Sequence, residues 1–231
     1  VRYKLPVTPS LDTVLFDLDG TLLDSMALIV ASYTHVQQVH PELPPRDRAA
    51  IMAHVGKTLT ATFEEWSGGA SAEAVETMVQ TYIRHNLEVH DQWVRPCKGM
   101  PELVEVLSGA GVPLAVVTSK RRKATLMGLR FLGLLEPARF GVLVCGDDVT
   151  RGKPHPEAVE LALTQLEADP ARTVFVGDSS HDLEAGKAAG VTTVGVTWGS
   201  APRDALERAD ADAVVDTAAE LTAFLRARGL P

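Results

Sequence analysis

Five short runs of β-prone residues, at 13–16, 114–118, 141–145, 173–177 and 192–196, are mostly unbroken by polar positions. Strands buried on both faces carry such continuous runs, because neither side meets water. Between the later runs the apolar residues recur at helical spacing. Leu103, Val106 and Leu107 precede Gly109 and Gly111; Val159, Leu161, Ala162 and Leu166 follow Pro156-Glu157; a short segment at 182–189 stops at Gly190. Strands alternating with helices predict βαβ units, a parallel sheet and an α/β fold.

One stretch breaks the alternation. Residues 24–94 hold no buried-strand run and read as helices over 26–40, 46–54, 58–66 and 72–90, parted by 41–45, Gly56 and Gly68-Gly69. Arg95-Pro96-Cys97-Lys98-Gly99 leads back, with the Pro and Gly expected at a boundary. The expected organisation is a core domain from residues 1–23 and 96–231, with a helical domain of residues 24–95 inserted after the first strand. Phe63, Trp66, Met78 and Tyr82 are expected in the core of that insertion, and residues 1–10 read as a loosely ordered tail.

The first run continues as Phe16-Asp17-Leu18-Asp19-Gly20-Thr21. A strand ending this way delivers two carboxylates to the rim where ligands of open α/β sheets bind. Like charges repel there and desolvation adds to the penalty. A bound cation relieves both and leaves a carboxylate placed for nucleophilic work. A solvated Asp-Gly turn is the plain alternative for this segment taken alone. A calcium loop is excluded, because Leu22 and Leu28 stand where that motif needs Gly and Glu. Three more polar segments lie at expected strand ends or helix starts: Thr118-Ser119-Lys120, Gly152-Lys153-Pro154 and Gly177-Asp178-Ser179-Ser180-His181-Asp182. Singly they are caps, turns or solvated lysines. Together their carboxylates, hydroxyl and ammonium suit a hard divalent cation and a phosphoryl group.

In this order the segments resemble the motifs of haloacid dehalogenase (HAD) superfamily hydrolases, in the subfamily with a helical cap after the first strand. The resemblance covers about residues 12–225. Asp17, Asp19 and Thr21 match the first motif, Thr118 the second, Lys153 the third, and Asp178 with Asp182 the fourth. It implies a Rossmann-like core with an inserted cap and a Mg²⁺-dependent phosphatase. Asp17 would attack phosphorus to form an aspartyl phosphate; Asp19 would protonate the leaving oxygen and then activate water. The same resemblance implies Mg²⁺ on Asp17, the carbonyl of Asp19, and Asp178. It implies a phosphoryl cradle of Thr118, Lys153 and the N–H groups of Leu18, Asp19 and Ser119, supported by Thr21 and Asp182. Gly56 and Lys57 interrupt the cap's helices where related caps meet the leaving group. Asp19 argues against a dehalogenase or a phosphonate-cleaving relative, which lack it. Thr21 favours a phosphatase over a phosphosugar mutase, which stays the alternative beside a non-catalytic binding module. Segments 116–120 and 152–156 look most like phosphoglycolate phosphatases and nearby phosphatases of sugar or nucleotide phosphates.

The bulk properties agree. A formal net charge of −8 over 231 residues disfavours a nucleic-acid partner, so an anionic substrate needs local cations. Arg121-Arg122-Lys123 reads as a solvated helix start. Gly56-Lys57-Thr58 fails as a P-loop, since the first Gly of that motif would fall at Ile51. His35, His40, His54, His85 and His90 lack zinc spacing. Cys97 and Cys145 are too few for a disulfide framework, and Cys145 reads as a small buried hydrophobe. No apolar stretch has membrane-spanning length and the first residues lack a signal-peptide block. The expectation is a cytoplasmic monomer or homodimer acting on a small phosphorylated substrate, with no membrane partner.

Overall fold

The computed structural model describes residues 10–135 and 139–231; the tail expected at 1–10 lies, but for Ser10, outside them. Along the chain the strands are β1 (Thr13–Phe16), β2 (Leu23–Asp24), β3 (Arg95–Pro96), β4 (Leu114–Val117), β5 (Val142–Val144), β6 (Thr173–Gly177), β7 (Thr192–Val196) and β8 (Ala213–Val215). The helices are α1 (Met26–Val39), α2 (Arg48–Met52), α3 (Leu59–Ser67), α4 (Ala72–Trp93), α5 (Met100–Gly109), α6 (Arg122–Phe131), α7 (Glu157–Leu166), α8 (Ser180–Ala188), α9 (Arg203–Arg208) and α10 (Ala218–Ala227).

Six strands form one sheet in the order β5-β4-β1-β6-β7-β8, with every pairing parallel. The pleat explains the unbroken apolar runs. Val14 and Phe16 of β1 pack with Leu103 and Leu107 of α5 and Leu225 of α10, whereas Leu15 faces the other side with Val159 of α7 and Ala185 of α8. The expected α/β class, with a Rossmann-like parallel sheet, is therefore the observed one. Connections from β1 and β6 run to opposite sides of the sheet. The crevice at their carboxyl ends is thus the topological switch point, where ligands of such sheets bind.

Helices α1 to α4 share a separate apolar cluster that includes Tyr33, Phe63, Trp66, Met78 and Tyr82. Tyr33 is its hub, with ring centroids 5.6, 4.9 and 4.7 Å from Phe63, Trp66 and Tyr82. β2 and β3 pair antiparallel where the chain passes between sheet and helices, Leu23 against Pro96 and Asp24 against Arg95.

Several boundaries differ from expectation for local reasons. Asp47 and Thr58 each accept a backbone N–H as N-cap, so α2 begins two residues and α3 one residue later than expected, whereas α4, capped by Ser71, begins where it was expected. The helix expected from 182 begins at Ser180, because Ser179 is the N-cap and Asp182 is the N3 member of a capping box. β5 is shorter than expected at both ends. β8 and α10 carried too short or too mixed a pattern to be read from the sequence.

Candidate active site

β1, β4 and β6 are neighbours, so the residues just past their ends meet: Asp17, Thr118 and Asp178. Asp17 N–H donates to the Val176 carbonyl at 2.9 Å and Thr118 N–H to that of Val144 at 2.9 Å, which extends the sheet geometry into the site. All three residues are buried. Lys153, brought from the loop ahead of α7, donates to Asp17 Oδ1 at 2.6 Å and Asp182 Oδ1 at 2.5 Å, and contacts the Val117 carbonyl at 3.3 Å. Asp182 Oδ2 accepts from Ser179 N–H at 3.0 Å and Ser179 Oγ at 2.6 Å. Both of its oxygens are thereby engaged. Asp182 aims Lys153 and caps α8 with a single carboxylate.

Asp178 is packed between two glycines. A Cβ on either Gly20 or Gly199 would stand 2.2 Å from its Oδ2, and Gly20 also has φ +84°. Ser200 N–H donates to that same oxygen at 2.5 Å. Gly199 and Ser200 lie past β7 and did not figure among the expected site residues. Glycine just beyond a buried run, on the rim side, was their available signal.

Asp17, Asp178 and Asp182 each place a carboxylate oxygen within 4.8 Å of the others. Three buried carboxylates face the one ammonium of Lys153, a balance that a divalent cation would neutralise. Electrostatics agree. Burial raises the Asp17 carboxyl well above the usual range; Lys153 opposes this, while Asp182 and Asp178 add to it. Burial, then the charge of Asp182, pushes Asp178 up to about 7 against the opposing N–H of Ser200. Burial draws Lys153 down, but Asp17 and Asp182 outweigh it and leave its pKa above the usual lysine value. The all-oxygen donor set fits a hard cation.

The N–H groups of Leu18, Asp19 and Ser119 donate to no acceptor among the described residues. They follow the ends of adjacent strands β1 and β4, beside the Thr118 hydroxyl. Such free N–H groups at strand ends make an anion cradle. Asp19 Oδ1 accepts from Ser25 Oγ at 2.5 Å and Lys120 Nζ at 2.7 Å, contacts absent from the sequence expectations. Thr21 is fully buried; its hydroxyl has no partner among the described residues, and its carbonyl accepts from Trp198 Nε1 at 3.2 Å.

A cleft of about 390 Å³ opens over these groups and runs to the helices, between Asp17, Asp19 and Thr118 on one side and Tyr82, Asn86 and Lys57 on the other. Ser119 Oγ donates to the Gly56 carbonyl at 2.6 Å and ties the helical loop to the sheet rim. Lys57 lines the cleft with its ammonium held by Glu65 at 2.8 Å. Among the described residues, no helix is long and apolar enough to cross a membrane.

The profile of haloacid dehalogenase-like hydrolases matches residues 14–196. The chain belongs to that family. This HAD-like protein is 38% identical to pyrophosphatase PpaX of Bacillus pumilus over 218 residues, 94% of this chain and 98% of the relative. It is 39% identical to pyrophosphatase PpaX of Halalkalibacterium halodurans over 211 residues, 91% and 95% of the two chains. Among solved structures it resembles a haloacid dehalogenase-like hydrolase from Bacteroides fragilis, with TM-score 0.83, 28% identity and coverage of 91% and 99%. A hydrolase from Pseudomonas syringae superposes with TM-score 0.85, 25% identity and coverage of 95% and 99%. The HAD-like chain is thus a hydrolase, as its motifs led us to expect.

Proposed function

We propose that this HAD-like hydrolase is a Mg²⁺-dependent phosphatase of a small phosphorylated metabolite, working through an aspartyl phosphate on Asp17. The observation carrying this reading is Asp17, buried and paired with Lys153, beside three N–H groups that no acceptor among the described residues uses. That arrangement suits a nucleophile next to a cradle for three phosphoryl oxygens.

The phosphoryl group lies against Thr118, Lys153 and the N–H groups of Leu18, Asp19 and Ser119. Lys153 holds Asp17 in line and offsets charge on the transferring oxygens. Asp19 protonates the leaving oxygen; it then takes a proton from the water that opens the aspartyl phosphate. Asp17, Asp178 and the carbonyl of Asp19 would hold Mg²⁺, which supplies charge stabilisation at the phosphoryl oxygens. Asp182 orients Lys153, and Thr21 supports the first turn. Residues 24–95 act as a cap whose Gly56-Lys57 loop meets the leaving group, with 1–23 and 96–231 as the core.

The name of the relatives makes inorganic pyrophosphate the first substrate to assay, followed by phosphoglycolate and sugar and nucleotide monophosphates. The test is phosphate release by the purified protein with Mg²⁺, with EDTA, and in Asp17→Asn. Release should need Mg²⁺ and fall by at least ~10³-fold in the variant. Asp17→Asn turnover within tenfold of the parent would refute the nucleophile, and an isomeric sugar phosphate as product would make the protein a mutase.

A further inference from the structure

Two donors meet on one oxygen of Asp19. Lys120 Nζ lies 2.7 Å and Ser25 Oγ 2.5 Å from Oδ1, while Oδ2 accepts no hydrogen bond from the described residues. Lys120 is not a solvated lysine: only 9% of its side chain is exposed. Its backbone is held as well. Lys120 N–H donates to Thr118 Oγ1 at 3.1 Å, and its carbonyl accepts from Gly146 N–H at 3.0 Å. A Cβ on Gly146 would stand 2.3 Å from the Ser119 carbonyl oxygen, so the turn carrying Lys120 is packed tightly on its neighbour. An ammonium removed from water keeps a partner strongly, because losing that partner leaves a buried charge alone. No step of the proposed reaction uses this lysine.

We propose that Lys120 is a positioning residue that makes Asp19 a one-sided proton carrier. It holds Oδ1 and so leaves Oδ2 to exchange protons with the leaving group and with water. This rests on the phosphoryl-transfer reading above. In the first step an Asp17 oxygen bonds to phosphorus, the bond to the leaving oxygen breaks, and the Oδ2 proton moves to that oxygen. Asp19 becomes a carboxylate at that moment, and the Lys120 ammonium already lies against it. In the second step water bonds to phosphorus and the bond to Asp17 breaks. A proton from the water returns to Oδ2, and both carboxyl groups regain their starting state. A carboxylate free to turn would present either oxygen, and misaimed proton transfer slows most the substrates that need it.

The test compares the parent, Lys120→Met and Lys120→Arg on p-nitrophenyl phosphate, phenyl phosphate and a simple alkyl phosphate. p-Nitrophenolate departs without a proton; an alkoxide does not. In Lys120→Met, kcat/KM should fall on the order of 10²-fold for the alkyl ester and less than about fivefold for p-nitrophenyl phosphate. Lys120→Arg should recover about tenfold of the alkyl loss, because it restores a donor to Oδ1. An equal loss on all esters would overturn the proposal and make Lys120 a phosphoryl ligand; no loss on any would overturn it too. Should Lys120→Met fail to fold by thermal melting, Lys120→Gln on the same series decides between the same outcomes. Asp17→Asn is run alongside. If it keeps p-nitrophenyl phosphate hydrolysis, the phosphoryl-transfer reading itself fails; if it is inactive, a flat Lys120 series removes only the role of Lys120.

Discussion

At the scale of single residues, the site is organised by which oxygen of each carboxylate is occupied. Asp182 gives one oxygen to Lys153 and the other to Ser179, so it has two separable duties. Asp182→Ala removes an N-terminal cap partner and leaves the buried Lys153 ammonium with Asp17 as its one charged partner beside the Val117 carbonyl. Urea unfolding should show a loss of about 1–3 kcal/mol. Turnover should also fall well beyond what the lost stability explains, through a misaimed Lys153. Unchanged turnover in the folded variant would show that Asp17 alone suffices to aim the lysine. Lys57 illustrates the opposite case. Its charge was legible in the sequence, but its pairing with Glu65, eight residues on in α3, was not.

At the scale of elements, the loop between α2 and α3 is the part of the helical layer tied to the sheet rim. Gly56 has φ +99°, and a Cβ there would stand 3.0 Å from Ser179 Oγ and 3.2 Å from His181 Nδ1. The backbone angle strains any side chain here, and the tight gap adds to that for a branched one. Gly56→Val should therefore hold the loop off the rim, strain its turn, and weaken the hydrogen bond from Ser119. Expected results are a kcat/KM reduced by at least about tenfold and a larger radius of gyration by small-angle scattering. Parent-like kinetics with parent-like scattering would show that closure does not depend on this contact. The loop works as a unit because Thr58 caps α3 immediately after it, which fixes where the helix starts.

At the scale of the molecule, the sheet concentrates negative charge where its topology reverses. Asp178 sits near 7 in the folded chain, above the ordinary carboxylate value, so the folded state holds its proton more tightly than the unfolded state. The stability from this group is full below about pH 4 and is lost as pH rises through about 7. Asp178→Asn should therefore gain on the parent as pH rises from 5 to 8, when both are melted in EDTA. The gain should reach on the order of 1–3 kcal/mol at pH 8. Mg²⁺ should raise the melting temperature of the parent more at pH 8 than at pH 5 and move Asp178→Asn little. A gap between parent and variant that does not change with pH would place the burden of charge on Asp17 and Asp182 instead.

Periodicity alone was enough for the parallel sheet and for the run of helices between β2 and β3, since a strand buried on both faces can carry no alternation and a helix must repeat near every third or fourth residue. The polar residues at the ends of β1, β4 and β6 were legible for the same reason: a chain leaving a buried strand meets water at a fixed rim. What the tertiary structure decided was contact between segments distant in sequence. Lys120 reaching Asp19 depends on β4 lying next to β1. Gly199 closing on Asp178 depends on β7 lying next to β6. Ser119 holding Gly56 depends on how the helical layer sits on the rim. No local pattern encodes such pairs, because side-chain partners across a sheet are set by strand order and packing.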